Sequence, residues 1–370
     1  MVYKNLKIKN FRGIKNLELN DLSQINILLG KNNCGKSSIL EAIFMLTGVN
    51  NPNLTLNIDF FRGIGHTDKN DFRFIFYKLD YKNMPEIESD LDEEEGSRKI
   101  KISPKESGSK SISSKKSNSL SSNDSLLSND DLSDIYNGIE INSEIKKRFT
   151  AVKKLKTSIS IETDSNGILT FPTKRDEHFK DDLVAVFQNA NGVNYGDLYK
   201  KLEILKIEKK IYRIVDGLKL IEDRICGMDL LGGNMIYIDI GIERLMPIHL
   251  MGDGAIKFTS IISNIERARN GILLIDEIDN GLHFSVLKHI WKIILEMSSK
   301  NNVQLFITTH DKETLRYLSE VIEEEDITKI NLVSCYTISK DNADNLDSYK
   351  YKTDALKFAL ENEVEIRGEF

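Results

Sequence analysis

The stretch Gly30-Lys31-Asn32-Asn33-Cys34-Gly35-Lys36-Ser37-Ser38 has the G-x-x-x-x-G-K-S form of a phosphate-binding loop. Its flanks carry as much of the reading as the pattern. Ile25 to Leu29 is a short apolar run of β character, and Ser38 to Leu46 places apolar side chains at helical spacing. A strand therefore delivers the loop, and a helix leaves it with its N-terminus turned toward the ligand. Exposed N–H groups and the positive end of the helix dipole favour a polyanion there. Lys36 is predicted to reach the β- and γ-phosphates of a nucleoside triphosphate such as ATP, and the Ser37 hydroxyl to ligate Mg²⁺. Gly30, Asn32, Asn33, Cys34, Gly35 and Ser38 complete the candidate cradle.

Working outward, the 370 residues are enough for one large domain or two ordinary ones, and 40% hydrophobic content suffices for a core. A net charge of −6 with 29% charged residues provides no global basic field to advertise nucleic acid, which leaves a local basic groove as the route to such a partner. Cys34, Cys226 and Cys335 lie far apart with no C-x-x-C pairing, so neither a disulfide framework nor a zinc site is indicated and a reducing cytoplasmic setting is expected. The N-terminus alternates charge and apolarity instead of building a signal-peptide core, and no apolar run reaches the roughly eighteen residues of a membrane span.

Residues 3 to 19 alternate like a hairpin that leads into the loop-bearing strand. Strand patterns recur at Phe72–Tyr77, Lys99–Ile102, Ser158–Ile161 and Ile168–Phe171, the last two joined by a turn at Asp164-Ser165-Asn166-Gly167. Between 90 and 134 an acidic cluster gives way to serine, lysine, asparagine and aspartate, which predicts a mobile insertion around the strand at 99 to 102. Residues 197 to 226 have helical spacing and predict a helical lobe. Met235–Ile240 returns to strand, and Ala255–Ala268 reads as a helix after a glycine-rich bend. Then come a buried strand Gly271–Ile275, a helix Ser285–Ser298 and a second buried strand Val303–Thr309. Strands alternating with helices imply an α/β fold with a parallel, helix-covered sheet. The expected divisions are 1–89 with the phosphate loop, 90–134 as the insertion, 135–196 as the rest of an antiparallel β subdomain, 197–234 as the lobe, and 235–370 as the second nucleotide half.

That second half supplies the missing chemistry. The apolar run Ile272–Ile275 ends in Asp276-Glu277, so Asp276 can hold Mg²⁺ and Glu277 can take a proton from an attacking water. Thr308-Thr309-His310 ends the next predicted strand at the same edge of a parallel sheet, where ligands bind. His310 is thereby placed to hydrogen-bond a γ-phosphate. Two carboxylates can simply be a solvated strand end and a histidine can be structural, but their order behind a phosphate loop favours the functional reading.

Gly30 to Ser37, with asparagine two places after the first glycine, resembles the loop of the ABC-type ATPase heads of RecF, SMC and OLD proteins. Ile8-Lys9-Asn10-Phe11-Arg12-Gly13 resembles their first strand, Leu274 to His283 their Walker B and D-loop, and Ile307-Thr308-Thr309-His310 their switch histidine. The resemblance implies an ABC-ATPase head with a mixed sheet, in which Arg12 contributes to the nucleotide site. It also implies a homodimer or higher assembly closed around ATP, with a signature motif supplied by the second copy. The candidate motif is Leu250 to Lys257, in which Gly252, Asp253 and Gly254 would face the partner's nucleotide; the serine expected near its start is absent. A glutamine-bearing loop of the kind the family uses to sense Mg²⁺ is not identifiable; Gln188 is a candidate, with a plain linker residue the favoured reading.

Within that family the chain looks most like the small stand-alone "AAA fifteen and twenty-one" ATPases, many of which resemble components of bacterial anti-phage systems. Only about sixty residues follow His310, fewer than a nuclease domain of the ordinary 50–200-residue range needs beside the rest of the head, so a nuclease effector is expected to be a separate chain. Two further readings stand beside an ATPase that controls an effector. One is a RecF-type DNA-binding head, for which Glu144 to Lys156 is the notable basic cluster, equally a solvated helix face. The other is a scaffold that holds ATP without hydrolysing it, against which the intact Asp276-Glu277 pair argues.

Overall fold

All five side chains of Ile25–Leu29 are buried, and this strand joins the two halves of the chain. The computed structural model describes residues 3–92, 96–107, 136–164, 166–181, 183–282, 284–324, 332–341, 345–351, 353–362 and 364–366. Among them a six-stranded sheet runs in the order Ala185–Gln188, Ile272–Ile275, Gln304–Thr308, Ile25–Leu29, Val333–Lys340, Leu346–Tyr351. Its first five strands are parallel and the last is antiparallel. Strands covered on both faces are apolar throughout, as Ile272–Ile275 is. Alternation then sorts the side chains between two cores. Leu28, Leu274 and Phe306 pack with the helix Lys36–Thr47, whereas Ile27, Leu29, Ile275 and Ile307 pack under the helices Asp253–Arg267 and Phe284–Asn301.

The register brings the functional ends together. Ile275 stands opposite both Gln188 and Ile307, and Thr308 opposite Leu28. Gln188, Asp276, Thr308–His310 and Gly30 therefore follow neighbouring strands at one edge of the sheet.

A second, antiparallel sheet of seven strands lies over the other side of Lys36–Thr47, in the order Thr173–Lys174, Lys153–Ser160, Tyr136–Lys146, Ser97–Glu106, Glu86–Asp90, Leu6–Phe11, Ile14–Leu19. Its inner face carries Ile8, Ile87, Ile100, Ile139 and Ile159, all fully buried. On its outer face lysine-bearing and glutamate-bearing strands alternate, with Lys99 to Glu88 at 3.1 Å, Lys101 to Glu86 at 2.9 Å and Lys156 to Glu140 at 2.7 Å. Exposed pairs of this kind add little stability, but they leave the face solvated and its charge locally balanced.

Several expectations are corrected here. Phe72–Tyr77 is not a strand but two 3₁₀ turns, Lys69–Ile75 and Tyr77–Leu79. Asp68 accepts from the Asn70 N–H at 2.7 Å, and Asp71 accepts from the Asp68 N–H at 2.9 Å, so side chains hold the backbone in a turn despite its β-prone residues. Lys99–Ile102 is the middle of a ten-residue strand, Ser97–Glu106, so that part of the predicted insertion belongs to the sheet; residues 93–95 and 108–134 of it lie outside the described residues. That strand is anchored by Arg98, whose buried guanidinium donates to Asp181 at 2.8 and 2.5 Å and to the Thr47 carbonyl at 2.9 Å. Ser158 to Ser160 ends the strand Lys153–Ser160, and the turn Asp164 to Gly167 instead joins Glu162–Thr163 to Leu169–Thr170, with Ser165 outside the described residues. The basic cluster at 144 to 156 is not a helix face but the hairpin between Tyr136–Lys146 and Lys153–Ser160. Met235–Asp239 pairs in a small sheet with Gly227–Leu231 and Met246–Pro247, apart from the central one.

The helical lobe holds Tyr195–Ile207 and Tyr212–Leu218. Trp291 is wholly buried in the second core, and its indole N–H donates to the Thr314 carbonyl at 2.8 Å. Trp291→Phe keeps most of the apolar contact and removes that hydrogen bond, while the Thr314 carbonyl keeps its place in the helix Lys312–Glu324, so urea denaturation is expected to show a loss of about 0.5–1.5 kcal/mol. No helix among the described residues is long and apolar enough to cross a membrane.

Candidate functional site

Glycine is required at Gly30, where φ is +149° and a Cβ would lie 2.6 Å from both Cys34 Sγ and the Ile338 carbonyl oxygen. Gly35, at φ +98°, ends the loop and opens the helix Lys36–Thr47. Between them Lys31, Asn32 and Asn33 are exposed, while Cys34 is buried and burial pushes its thiol pKa up. The Lys36 side chain folds into the curve of the loop, where Nζ donates to Gly30 O at 2.8 Å and Lys31 O at 2.9 Å.

Ser37 turns the other way, toward the acidic strand end. Its Oγ donates to Asp276 Oδ1 at 3.1 Å, and Thr308 Oγ1 donates to the same oxygen at 2.6 Å. Thr308 Oγ1 also accepts from the Glu277 N–H at 2.8 Å. One hydroxyl thus fixes Asp276 through its carboxylate and Glu277 through its backbone. Glu277 has φ +50°, a left-handed conformation that costs a non-glycine residue about 1–3 kcal/mol and that clusters at functional sites. Thr309 Oγ1 donates to Asp279 Oδ1 at 2.5 Å, and His310 Nδ1 lies 3.7 Å from Asp279 Oδ2 with its ring part exposed. Among the described residues no three His, Cys, Asp or Glu side chains converge as a metal cage. A hydroxyl and a carboxylate side by side suit Mg²⁺, which keeps waters and substrate phosphates as its remaining ligands.

Beside the loop lies a charged network. Arg12 Nε is 2.6 Å from Glu41 Oε2 and its Nη2 donates to Asp59 Oδ1 at 2.7 Å; His66 Nε2 meets Asp59 Oδ2 at 2.7 Å. Arg62 Nε donates to Glu41 Oε1 at 2.6 Å and its Nη2 donates to Ser38 Oγ at 3.0 Å. Burial raises the Glu41 pKa against the pull of Arg12 and Arg62. Arg12 therefore stands in the wall of the site with its guanidinium committed to two carboxylates. Both arginines line a cleft of about 490 Å³ with Asn33, Gly35, Ser38 and Tyr77. Arg62 belongs to no motif, and only the fold brings it to Ser38.

The glycine-rich turn is placed elsewhere. Gly252, at φ +85°, precedes the helix Asp253–Arg267, and Leu250 is 72% exposed. Asp253 opens on a different cleft of about 520 Å³, shared with Gln188, Tyr195, His249, Lys257 and Asn280. Gln188 is not a linker residue: it ends the strand beside Ile272–Ile275, its carbonyl accepts from the Asp276 N–H at 2.9 Å, and its Oε1 accepts from Asn264 at 2.9 Å. His283, the last residue of the predicted D-loop, lies outside the described residues.

Comparison with known proteins adds a family and relatives. The family model AAA_21, described as "AAA domain, putative AbiEii toxin, Type IV TA system", matches residues 25–316. An "ATP/GTP phosphatase" of Helicobacter pylori is 24% identical over 380 aligned positions, covering 98% of this chain and 99% of that protein. The "DNA replication and repair protein RecF" of Nitrosococcus oceani is 50% identical over 42 residues, 11% of this chain and 12% of that protein. A solved Smc head bound to the C-winged helix domain of ScpA superposes with a TM-score of 0.49 at 12% identity, over 98% of this chain and 100% of that one.

Proposed function

The chain belongs to the AAA_21 family and is an ATPase, and from that premise we propose that it is a head of the RecF and SMC class, which ATP closes into a homodimer or higher assembly that controls a separate effector, such as a nuclease, in bacterial anti-phage defence. The observation that carries this reading is the meeting of the phosphate loop with the acidic strand end, Ser37 Oγ to Asp276 Oδ1 at 3.1 Å, next to a Glu277 held in a strained backbone. Lys36 and the loop N–H groups take the phosphates, Ser37 and Asp276 hold Mg²⁺, and Glu277 accepts the proton of the attacking water, with His310 hydrogen-bonding the γ-phosphate. The nucleoside lies along the cleft between Arg12 and Arg62. Mg²⁺ supplies charge neutralisation at the transferring phosphoryl group.

Self-association is supported by the placement of Gly252–Gly254. Asp253 opens on a different cleft from the loop's. The Gly252 N–H donates to the His249 carbonyl at 3.3 Å, so it is the Asp253 and Gly254 N–H groups, at the first turn of their helix with no intrahelical acceptor, that would meet the nucleotide of a second copy. The defence role is supported by the toxin–antitoxin system in the family's description. Light scattering tests the assembly: a 42.2 kDa species without nucleotide is expected to give at least twice that mass with ATP and Mg²⁺ and to revert as ATP is consumed. A mass independent of nucleotide would remove the closure step.

ATP-dependent DNA binding is the second reading, favoured by the short RecF match alone, since the lysines of the cleft on the antiparallel sheet, Lys105, Lys156 and Lys174, share it with Glu140 and Glu162. It calls for DNA affinity that rises with ATP and falls steeply with salt, since phosphate contacts release counterions.

A further inference from the structure

Lys257 lies a turn beyond Gly252–Gly254 on the helix Asp253–Arg267, and its side chain leaves that helix for the loop after the acidic strand. Nζ donates to the Glu277 carbonyl at 3.0 Å and to the Asn280 carbonyl. The Glu277 carbonyl also accepts from the Asn280 N–H at 3.1 Å, and the Asn280 side chain donates to the Ala190 carbonyl at 3.0 Å. On its other side Glu277 is held by Thr308 Oγ1, which takes its N–H at 2.8 Å. Both peptide groups of Glu277 are therefore clamped, and a non-glycine residue keeps a left-handed backbone only where its surroundings over-determine it.

The ammonium is in an environment that disfavours its charge. Burial pulls the Lys257 pKa down to about 8, against the opposing pull of the Asp279, Glu277 and Asp276 carboxylates. Asp253, His249 and Tyr195 line the same cleft. A cation held where burial opposes it, with its hydrogen bonds aimed at two carbonyls of one loop, serves that loop's conformation.

We propose that Lys257 is a positioning residue for hydrolysis, fixing the Glu277 peptide so that its carboxylate meets the attacking water and coupling that peptide to the glycine-rich turn at the start of its own helix. A shift of Gly252–Gly254 on contacting a second copy's nucleotide is carried by the helix to Lys257 and so to Glu277 of the same chain. Hydrolysis at one site then depends on closure at the other. This rests on the reading of Glu277 as the proton acceptor.

The test is Lys257→Met, which keeps the length and removes the donor, with Lys257→Arg as the conservative variant and Glu277→Gln beside them. Lys257→Met is expected to lose kcat by on the order of 10²-fold, the scale of a small misplacement of a reacting group. Its nucleotide Kd should stay within about threefold of wild type, and Lys257→Arg should recover at least about tenfold of the lost rate. Cooperativity of turnover in protein concentration should disappear with the methionine. A folded Lys257→Met protein with wild-type kcat overturns the proposal, and so does a loss of rate matched by an equal loss of nucleotide affinity. If Lys257→Met does not fold, Lys257→Gln, neutral and able to reach one carbonyl, is read by the same criteria. Failure of the underlying reading has a separate signature: Glu277→Gln would turn over ATP as fast as wild type.

Discussion

Lys36→Ala is expected to weaken nucleotide binding by about 10²- to 10³-fold, enough to empty the site at micromolar ATP, while leaving the fold intact. The Lys36 side chain is 7% exposed, and its ammonium is satisfied by the carbonyls of Gly30 and Lys31 at 2.8 and 2.9 Å. A triphosphate replaces these neutral acceptors with charged ones, which make the shorter and stronger class of hydrogen bond. Without the ammonium those same carbonyl oxygens face the phosphate charge unscreened. Truncating one partner of a buried charged pair costs on the order of 3–4 kcal/mol, or about 10²- to 10³-fold in Kd. The loss should not propagate into the structure, because Lys36 stands at the first turn of its helix and the apolar positions behind it, Ile39, Leu40 and Ile43, are untouched. Titration calorimetry with MgATP and a thermal melt check the two halves of the claim. A Kd within about tenfold of wild type would mean that the loop N–H groups alone carry the phosphates.

Lys36 was readable because its partners are neighbours in the chain. Asp276-Glu277 and His310 could be placed for another reason, since each follows a buried strand whose centre is apolar on both faces, Ile272–Ile275 and Leu305-Phe306-Ile307. The antiparallel sheet was harder. Ser97–Glu106 presents lysines to solvent and isoleucines to the core, so its composition resembles the polar tract that follows it, and only the alternation of Ile100 and Ile102 betrays a strand. Phe72–Ile75 fails in the opposite direction, since β-prone aromatic residues yield to the hydrogen bonds of Asp68 and Asp71. Arg62 escaped notice altogether, Thr308 and Lys257 were read only as members of their motifs, and all three owe their contacts to neighbours across the fold. Arg62 reaches Ser38, Thr308 reaches Asp276 and Glu277, and Lys257 reaches Asn280. No local pattern marks such residues, because what makes each one matter is a neighbour on another element. Gln188 shows the converse: what read as a linker is a strand end, because a four-residue strand is too short for alternation to announce it.

Glu277→Gln is expected to stop turnover as Lys36→Ala does but to have the opposite effect on assembly. The substitution is isosteric and leaves the left-handed backbone with its clamps, since Thr308 and Lys257 hold main-chain atoms of Glu277 and not its carboxylate. What it removes is the capacity to take a proton from water, and general-base catalysis contributes about 10²- to 10⁴-fold. ATP affinity should be preserved, because Lys36, Ser37 and Asp276 are unchanged. With ATP and Mg²⁺ present the assembled species should therefore persist instead of decaying with hydrolysis, and radiolabelled ATP should remain intact in the fraction of higher mass. A hydrolysis rate equal to wild type would sink the role assigned to Glu277. The comparison with Lys36→Ala then separates two ways of being inactive: one protein cannot close around nucleotide and the other cannot reopen. If assembly is the signal that reaches the effector, these two proteins, equally unable to turn over ATP, should hold the effector in opposite states. If both held it in the same state, the signal would be turnover and not closure.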